Sequence, residues 1–277
     1  MTKIGIIGNG FVGNAIHQGM MSHYEVLVYD INPSRTLNSL DEINKVDVVF
    51  VCVPTPTDQS GKIDISLIKD AIKSLDAGKT IIIKSTITPD AARELNENFR
   101  NQNIVYNPEF LSERTAAEDF QNPTRIVLGG NPQRVEEIYK LYLKVFPEVE
   151  YIKTDFKTAC FIKYLCNCFY ATKISILNEF KQVADKEGVD WEAAIRGLLS
   201  SGWVSSMHTN IPGPDGDKGF GGKCFPKDIN AFIDFSLTTG VKPIILKAAW
   251  EKNLEVREEQ DWLKIEGAVT TKGNKNE

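Results

Sequence analysis

The first 150 or so residues alternate short runs that are almost wholly apolar with longer stretches in which apolar side chains return every three or four positions. The first pattern marks strands and the second marks amphipathic helices. Strands are expected at Lys3–Ile7, Tyr24–Tyr29, Val46–Val53, Thr80–Ile83, Ile104–Tyr106 and Arg125–Leu128. Helices are expected from Asn14 to about Met21, over Ser66–Leu75, from about Pro89 to Phe99, and over Arg134–Phe146. Val46–Val53 is nearly unbroken in its apolarity, as suits a parallel strand covered on both faces. Strand and helix in regular alternation predict an α/β fold with a doubly wound parallel sheet.

Past residue 150 the strand pattern stops. Asp155 to about Lys186 reads as one helix too long for a sheet connection, with Phe161, Leu165, Phe169, Ile176 and Phe180 at apolar positions. A shorter helix, Trp191–Leu199, precedes a loop rich in Gly, Pro and Asp, Ile211–Gly222. Two more helices are expected over Lys227–Phe235 and from Val241 to about Ile265, before a polar tail from Gly267 to Glu277. The division that follows is a sheet domain over 1–152, an all-helical domain with a long central helix over 153–266, and the tail 267–277.

Composition narrows the class. A chain of 277 residues, 42% hydrophobic and 25% charged, has the balance of a soluble globular protein with room for two domains. No apolar run is long enough to span a bilayer, and the N-terminus enters a strand at once, so the expected compartment is the cytoplasm with no membrane association. A net charge of −5 gives no global reason to expect nucleic acid. Five cysteines, an odd number, argue against a disulfide framework. Cys166 and Cys168 fall on different faces of a helix and the three histidines are scattered, so no metal site is expected.

Candidate chemistry gathers where strands end. After the first strand comes Gly8-Asn9-Gly10-Phe11-Val12-Gly13, a GxGxxG segment between strand and helix. In that context the first glycine makes the turn, the second admits a pyrophosphate against the backbone, and the third lets the helix pack closely. Asp30 ends the second strand, 22 residues after Gly8, where a carboxylate can meet a ribose 2′-hydroxyl and repel a 2′-phosphate. NAD is therefore favoured, although Arg35 nearby offers a partner to NADP. Thr55, Thr86 and Glu109 follow later strands and would collect along the same edge. Lys163 and Asn167, four apart, stack on one face of the long helix, and taken alone such a pair reads as solvated. Cys224 lies between glycines and a Pro-Lys-Asp ending, flanked by Lys223 and Lys227. Positive charge there favours the thiolate, but a small buried cysteine in an ordinary turn fits as well.

Taken together, GNGFVG, Asp30 with Arg35, VPTPT, KSTIT, NPEFLSE, KYLCN on the long helix and GFGGKCFPKD resemble the UDP-glucose/GDP-mannose dehydrogenase family over roughly residues 1–262. That family has an N-terminal Rossmann domain and a central helical domain. The resemblance implies an NAD-dependent nucleotide-sugar 6-dehydrogenase, UDP-glucose the expected substrate, that oxidises a C6 alcohol to a carboxylate in two hydride transfers through a thioester on Cys224. It implies that Lys163 and Asn167 donate to the oxygen at C6, that Asp228 organises the proton network, that Glu109 handles water for hydrolysis and that Thr86 assists proton relay. Cofactor contacts would come from Gly8 to Gly13, Asp30, Arg35, Thr55, Thr86 and Glu113. Substrate contacts would come from Glu109, Phe110, Leu111, Lys163, Asn167, Phe220 and Gly221. It also implies a homodimer through the long helix. Family members usually continue into a second α/β domain that grips the nucleotide; its absence here leaves open a separate nucleotide-binding chain, a smaller substrate, or weak activity. A β-hydroxyacid dehydrogenase making one two-electron oxidation and a catalytically idle NAD or nucleotide-sugar-binding subunit stand as alternatives.

Overall fold

The computed structural model describes residues 2–58, 60–112, 114–265 and 267–269. In chain order the elements are β1 Lys3–Ile7, α1 Phe11–Met20, β2 Glu25–Tyr29, α2 Leu40–Ile43, β3 Val48–Val51, α3 Ser66–Lys73, β4 Thr80–Ile83, α4 Pro89–Asn98, β5 Asn103–Tyr106, α5 Ala116–Gln121, β6 Arg125–Gly130, α6 Pro132–Leu143, β7 Glu150–Thr154, α7 Phe156–Glu187, α8 Trp191–Ser200, α9 Phe225–Thr238 and α10 Ile244–Val256. They form two compact units, Met1–Thr55 with Asp64–Lys163, and Pro56–Ile63 with Tyr164–Glu277.

The first unit holds a seven-stranded sheet in the order β2-β1-β3-β4-β5-β6-β7. Winding reverses between β1 and β3, and in open α/β sheets the crevice beyond the strand ends at such a reversal receives the ligand. Ile4, Ile6, Val28, Phe50, Ile82, Val105 and Leu128 are fully buried with Ile16, Met20, Ile138 and Tyr142 of the helices. Gly129 shows how tightly the next layer is packed. A Cβ there would stand 2.4 Å from Cβ of Ala159 and 2.8 Å from the Asp155 carbonyl oxygen.

One feature departs from the expected parallel sheet. β6 runs antiparallel to β5, with Val105 opposite Gly130 and Tyr106 opposite Gly129. A parallel return needs a connection that carries the chain back along the whole strand. Among the described residues, the only helix between β5 and β6, α5, is six residues long and rises about 9 Å. The chain therefore re-enters the sheet at the edge it left. β7, not anticipated because Glu150-Tyr-Ile-Lys-Thr154 is half polar, follows β6 in parallel.

In the second unit the buried face of α7 is Tyr164, Cys168, Ala171, Ser175 and Asn178, spaced four, three, four and three. Tyr164, Cys168 and Ala171 form a core with Phe220, Ile229, Ala231 and Ala249. Leu165, Phe169, Ile176 and Phe180, the apolar positions visible in the sequence, are 57, 63, 52 and 62% exposed on another face. The final helix is shorter than the expected Val241–Ile265. Pro243 fixes its start, and Arg257 leaves it with extended backbone before a single 3-10 turn at Asp261–Leu263. Among the described residues, no helix is long and apolar enough to cross a membrane.

Substituting Gly129 by Ala should destabilise the protein by about 1–3 kcal/mol through overpacking against Ala159 and the Asp155 carbonyl. Urea unfolding followed by far-UV circular dichroism measures this; an unchanged midpoint would show that the β6 and α7 contact yields without cost.

Candidate active site

The glycine-rich turn in the first unit is held by its neighbours. Gly8 has φ +94°, and a Cβ on it would lie 2.8 Å from the Cys52 carbonyl oxygen. A Cβ on Gly13 would stand 1.9 Å from the Gly8 carbonyl oxygen, so only glycine fits at this position in the first turn of α1. Gly10 is different: nothing lies within 4 Å of the position its Cβ would take, which leaves the backbone open to a ligand. Phe11 and Val12 begin α1, three residues earlier than expected, and pack half-buried against the sheet core. No acidic residue occupies the first turn of α1, so the positive end of the helix is not neutralised there.

Asp30 is tied into this turn. Its Oδ2 accepts the Asn9 backbone N–H at 2.6 Å and its Oδ1 accepts that of Asn32 at 2.8 Å. Each oxygen retains a lone pair that a ribose hydroxyl can use. Asn9 Nδ2 donates to the Arg35 carbonyl at 2.6 Å, while Asn9 Oδ1 is buried without a hydrogen-bond partner. The side chain of Arg35 is exposed. Thr55 and Thr86 are both buried, with Thr55 Oγ1 donating to the Thr86 carbonyl at 2.8 Å. An open cradle at Gly10, an orphaned acceptor at Asn9 and a carboxylate at Asp30 fit a dinucleotide. Glu113 lies outside the described residues.

A second cluster in the same unit is charged and buried. Lys163 is 3% exposed, not solvated, and its Nζ donates to Glu109 Oε1 at 2.9 Å and to the Glu109 carbonyl at 2.7 Å. Lys163 lies seven residues into α7, about 11 Å along the axis, which is how a helix that follows β7 meets the segment after β5. Glu109 Oε2 accepts the Leu111 N–H at 2.7 Å. Two cations lie near the Phe110 ring, with Arg125 Cζ 4.2 Å and Lys163 Nζ 5.5 Å from its centre.

Sequence reasoning passed over Lys84, Asn107 and Tyr142. Because Ile83 pairs with Tyr106, the next residues of β4 and β5 emerge side by side. Lys84 Nζ donates to Asn107 Oδ1 at 2.8 Å, Tyr142 donates its hydroxyl to the same oxygen at 2.5 Å, and Asn107 Nδ2 donates to the Val127 carbonyl at 2.7 Å. Burial pushes Lys84 down to about 8, with Cys52 and Glu109 partly opposing and Lys163 adding to the shift. Burial also pushes the Cys52 thiol up to about 12. A lysine inside the KSTIT segment was the available signal.

The second unit places the cysteine segment. Cys224 is half-buried at the N-cap of α9, where the helix dipole favours negative charge. One turn on, Asp228 is 1% exposed; it accepts from Asn167 Nδ2 at 2.5 Å and pairs with Lys227. Asn167, like Lys163, is therefore buried rather than solvated.

The loop before Cys224 is fastened by residues the sequence did not single out. Asn253 accepts the Phe220 N–H at 2.7 Å and donates to its carbonyl at 3.0 Å, and the Phe220 side chain lies in the core at 3% exposure. Arg257, buried, pairs with Asp215 at 2.9 Å and Asp261 at 3.3 Å, and Asp261 accepts the Gly222 N–H at 2.9 Å. A Cβ on Gly221 would meet Arg257 Nη2 at 2.1 Å, so this backbone lies directly on the guanidinium.

Residues 34–146 match the NAD binding domain of the UDP-glucose/GDP-mannose dehydrogenase family, and residues 157–255 match its central domain. The chain is 37% identical over 225 residues to a UDP-glucose 6-dehydrogenase of Rickettsia bellii, covering 78% of this chain and 51% of that protein. With a UDP-glucose 6-dehydrogenase of Haloferax volcanii it shares 34% over 243 residues, 79% of this chain and 55% of the relative. The chain thus spans about half the length of the curated relatives it matches. A UDP-glucose dehydrogenase structure from Pyrobaculum islandicum superposes with a TM-score of 0.81 at 27% identity, over 92% of this chain and 68% of the other. The fold also matches a 3-hydroxyisobutyrate dehydrogenase of Mycobacterium tuberculosis, TM-score 0.74 at 19% identity, over 92% and 93% of the two chains.

The depressed Lys84 gives a pH signature. Below pH 8 the amine is charged in both folded and unfolded chains, and the fold carries the cost of burying it. Between 8 and the ordinary value of 10.5 only the unfolded chain binds the proton, so stability rises with pH. The stability of the unaltered chain minus that of Lys84→Met should rise over that window by a few kcal/mol, on the order set by the shift. Urea titrations at pH 7, 9 and 10.5 read it, and a flat difference would mean Lys84 is not desolvated.

Proposed function

The chain belongs to the UDP-glucose/GDP-mannose dehydrogenase family, and on that premise we propose that it catalyses the NAD-dependent oxidation of a nucleotide sugar at C6, from alcohol to carboxylate, with UDP-glucose the first substrate to try. The observation that carries this reading is Cys224 at the N-terminus of α9 with Asp228 buried one turn behind it and held by Asn167 and Lys227. A cysteine merely filling space requires no such buried polar support.

NAD, when bound, supplies the hydride acceptor for both oxidations. Gly8 to Gly13 and Asp30 would hold it, the open backbone at Gly10 receiving the pyrophosphate and Asp30 the ribose, with Arg35, Thr55, Thr86 and Glu113 as further contacts. Asp30 at this position supports NAD over NADP. In the first oxidation the C6 hydroxyl gives up its proton and the carbon its hydride, leaving an aldehyde. The Cys224 thiolate then adds to the aldehyde carbon, and loss of a second hydride converts the thiohemiacetal to a thioester. Water attacks the thioester, the C–S bond breaks, and thiol and carboxylate leave. Lys163 and Asn167 are donors suited to the oxygen at C6 while it carries negative charge. Glu109 would position the water, with Thr86 and Asp228 in the proton network. Phe110, Leu111, Phe220 and Gly221 are the proposed sugar contacts, the last two through a backbone that Asn253 and Arg257 fix.

The exposed stripe Leu165, Phe169, Ile176 and Phe180 supports a homodimer through α7, since an apolar face of that extent on a helix otherwise meets water. We place the activity in the cytoplasm, the compartment of the NAD pool it draws on. A nucleotide-binding part supplied by a separate chain remains compatible with this reading.

Two NADH per acid formed, counted at the nicotinamide absorbance, is the expected stoichiometry; one per product would establish a single two-electron oxidation instead. Cys224→Ser should keep NAD affinity while acid formation drops by about three orders of magnitude or more. Binding of NAD without turnover of any UDP- or GDP-sugar would favour a non-catalytic binding subunit. Phe169→Glu combined with Phe180→Glu should convert a sedimenting dimer to monomer; unchanged sedimentation would remove α7 from the interface.

A further inference from the structure

The proposed mechanism makes no use of Lys84, although a buried ammonium is among the costlier groups a fold can carry. Its position is forced by register, one residue beyond β4 and beside Asn107, one residue beyond β5. Asn107 is followed by Pro108 and Glu109, so the residue that anchors Lys84 stands two positions from the carboxylate. The groups facing Lys84 come from every neighbouring element: Cys52 after β3, Asn107 and Glu109 after β5, Tyr142 of α6 and Lys163 of α7. The Cys52 thiol and the Tyr142 hydroxyl are both pushed up by burial and stay neutral at physiological pH. Among the described residues, that leaves Lys84, Lys163 and Glu109 as the charged groups of the cluster.

Lys163 spends two donors on Glu109, one on the carboxylate and one on the backbone carbonyl. Any donation to a substrate oxygen draws on the same ammonium. If Lys163 turned from Oε1 toward substrate, the Leu111 N–H would be the one direct partner left to the Glu109 side chain among the described residues, and an uncompensated buried carboxylate is strongly disfavoured. We propose that Lys84 is a positioning residue for Glu109, a second buried positive charge, fixed on Asn107, that sustains the carboxylate while Lys163 is engaged with the substrate. Tyr142 locks the arrangement, since its hydroxyl and the Lys84 ammonium both donate to Asn107 Oδ1. The role asks for charge rather than contact, because Lys84 donates to Asn107 and not to Glu109.

The kinetic consequence rests on the dehydrogenase reading, but the coupling itself is measurable without turnover. The full chain carrying 13C at the lysine ε carbons is titrated by NMR, and the Lys84 resonance is identified by its loss in Lys84→Gln. In Glu109→Gln the Lys84 midpoint should fall by roughly one unit, since a nearby negative charge that favours the ammonium has been removed. An unmoved midpoint overturns the proposal. In the kinetic arm, Lys84→Gln keeps an N–H donor toward Asn107 and removes only the charge. The acid limb of its pH–rate profile for NADH formation should move up by roughly one unit with the KM for NAD unchanged. A purely structural lysine would leave that limb in place, and an unmoved limb likewise overturns the proposal. If the unaltered chain turns over no nucleotide sugar, the dehydrogenase reading fails and the Glu109→Gln titration alone decides this one.

Discussion

A strand buried on both faces has no side chain to spare for chemistry. Every position of β4 is buried, as are three of four in β3 and β5. These central strands exclude water along their length, and polar function must begin where they stop. Gly8, Cys52, Lys84 and Asn107 are the first residues past β1, β3, β4 and β5, and all four take part in the turn or the charged cluster described above. The antiparallel entry of β6 places Arg125 at its start, where its guanidinium meets the Phe110 ring.

Confining chemistry to strand ends brings charge into poorly hydrated surroundings, and the two units answer this differently. In the first, Glu109 is paired with Lys163, while Lys84 is held by the Asn107 amide oxygen that also accepts from the Tyr142 hydroxyl. In the second, Asp228 is held by Lys227 and Asn167 on a helix terminus whose dipole favours negative charge. A buried ion pair adds little net stability on average but penalises any arrangement that leaves one partner alone. Such clusters specify geometry more than they strengthen the fold, which is the property that a reacting centre requires.

The sheet was legible because apolar runs of four to six residues bounded by Gly, Pro and charged residues have few other readings. GNGFVG was legible for the same reason, since strand, glycines and helix occur in one short stretch. What escaped the sequence was set by distance along the chain. Burial of Lys163 and Asn167 depends on Glu109 and Asp228, more than fifty residues away, and nothing local distinguishes them from a solvated pair. Asn253 and Arg257 act on a loop some thirty-five residues earlier. The apolar periodicity of α7 was visible, yet its sense was not: the large residues Phe169 and Phe180 face outward, while small or polar ones such as Ala171, Ser175 and Asn178 face the core. The orientation of β6 hinged on the length of α5, which no propensity fixes. Conversely, the family resemblance came from several short segments read together, GFGGKCFPKD the most specific of them, whose periodicity alone says little.

The Cys52 carbonyl oxygen fills the space that any side chain on Gly8 would need, and the Cys52 N–H is bonded to the Ile7 carbonyl at 2.8 Å. The turn after β1 is thus cast against the end of a different strand. Evolutionary drift in β3 is constrained accordingly: insertion of a single residue there would shift that carbonyl and deform the neighbouring bend without altering one of its glycines, so length changes in this lineage should accumulate at the outer loops and spare the exit of β3.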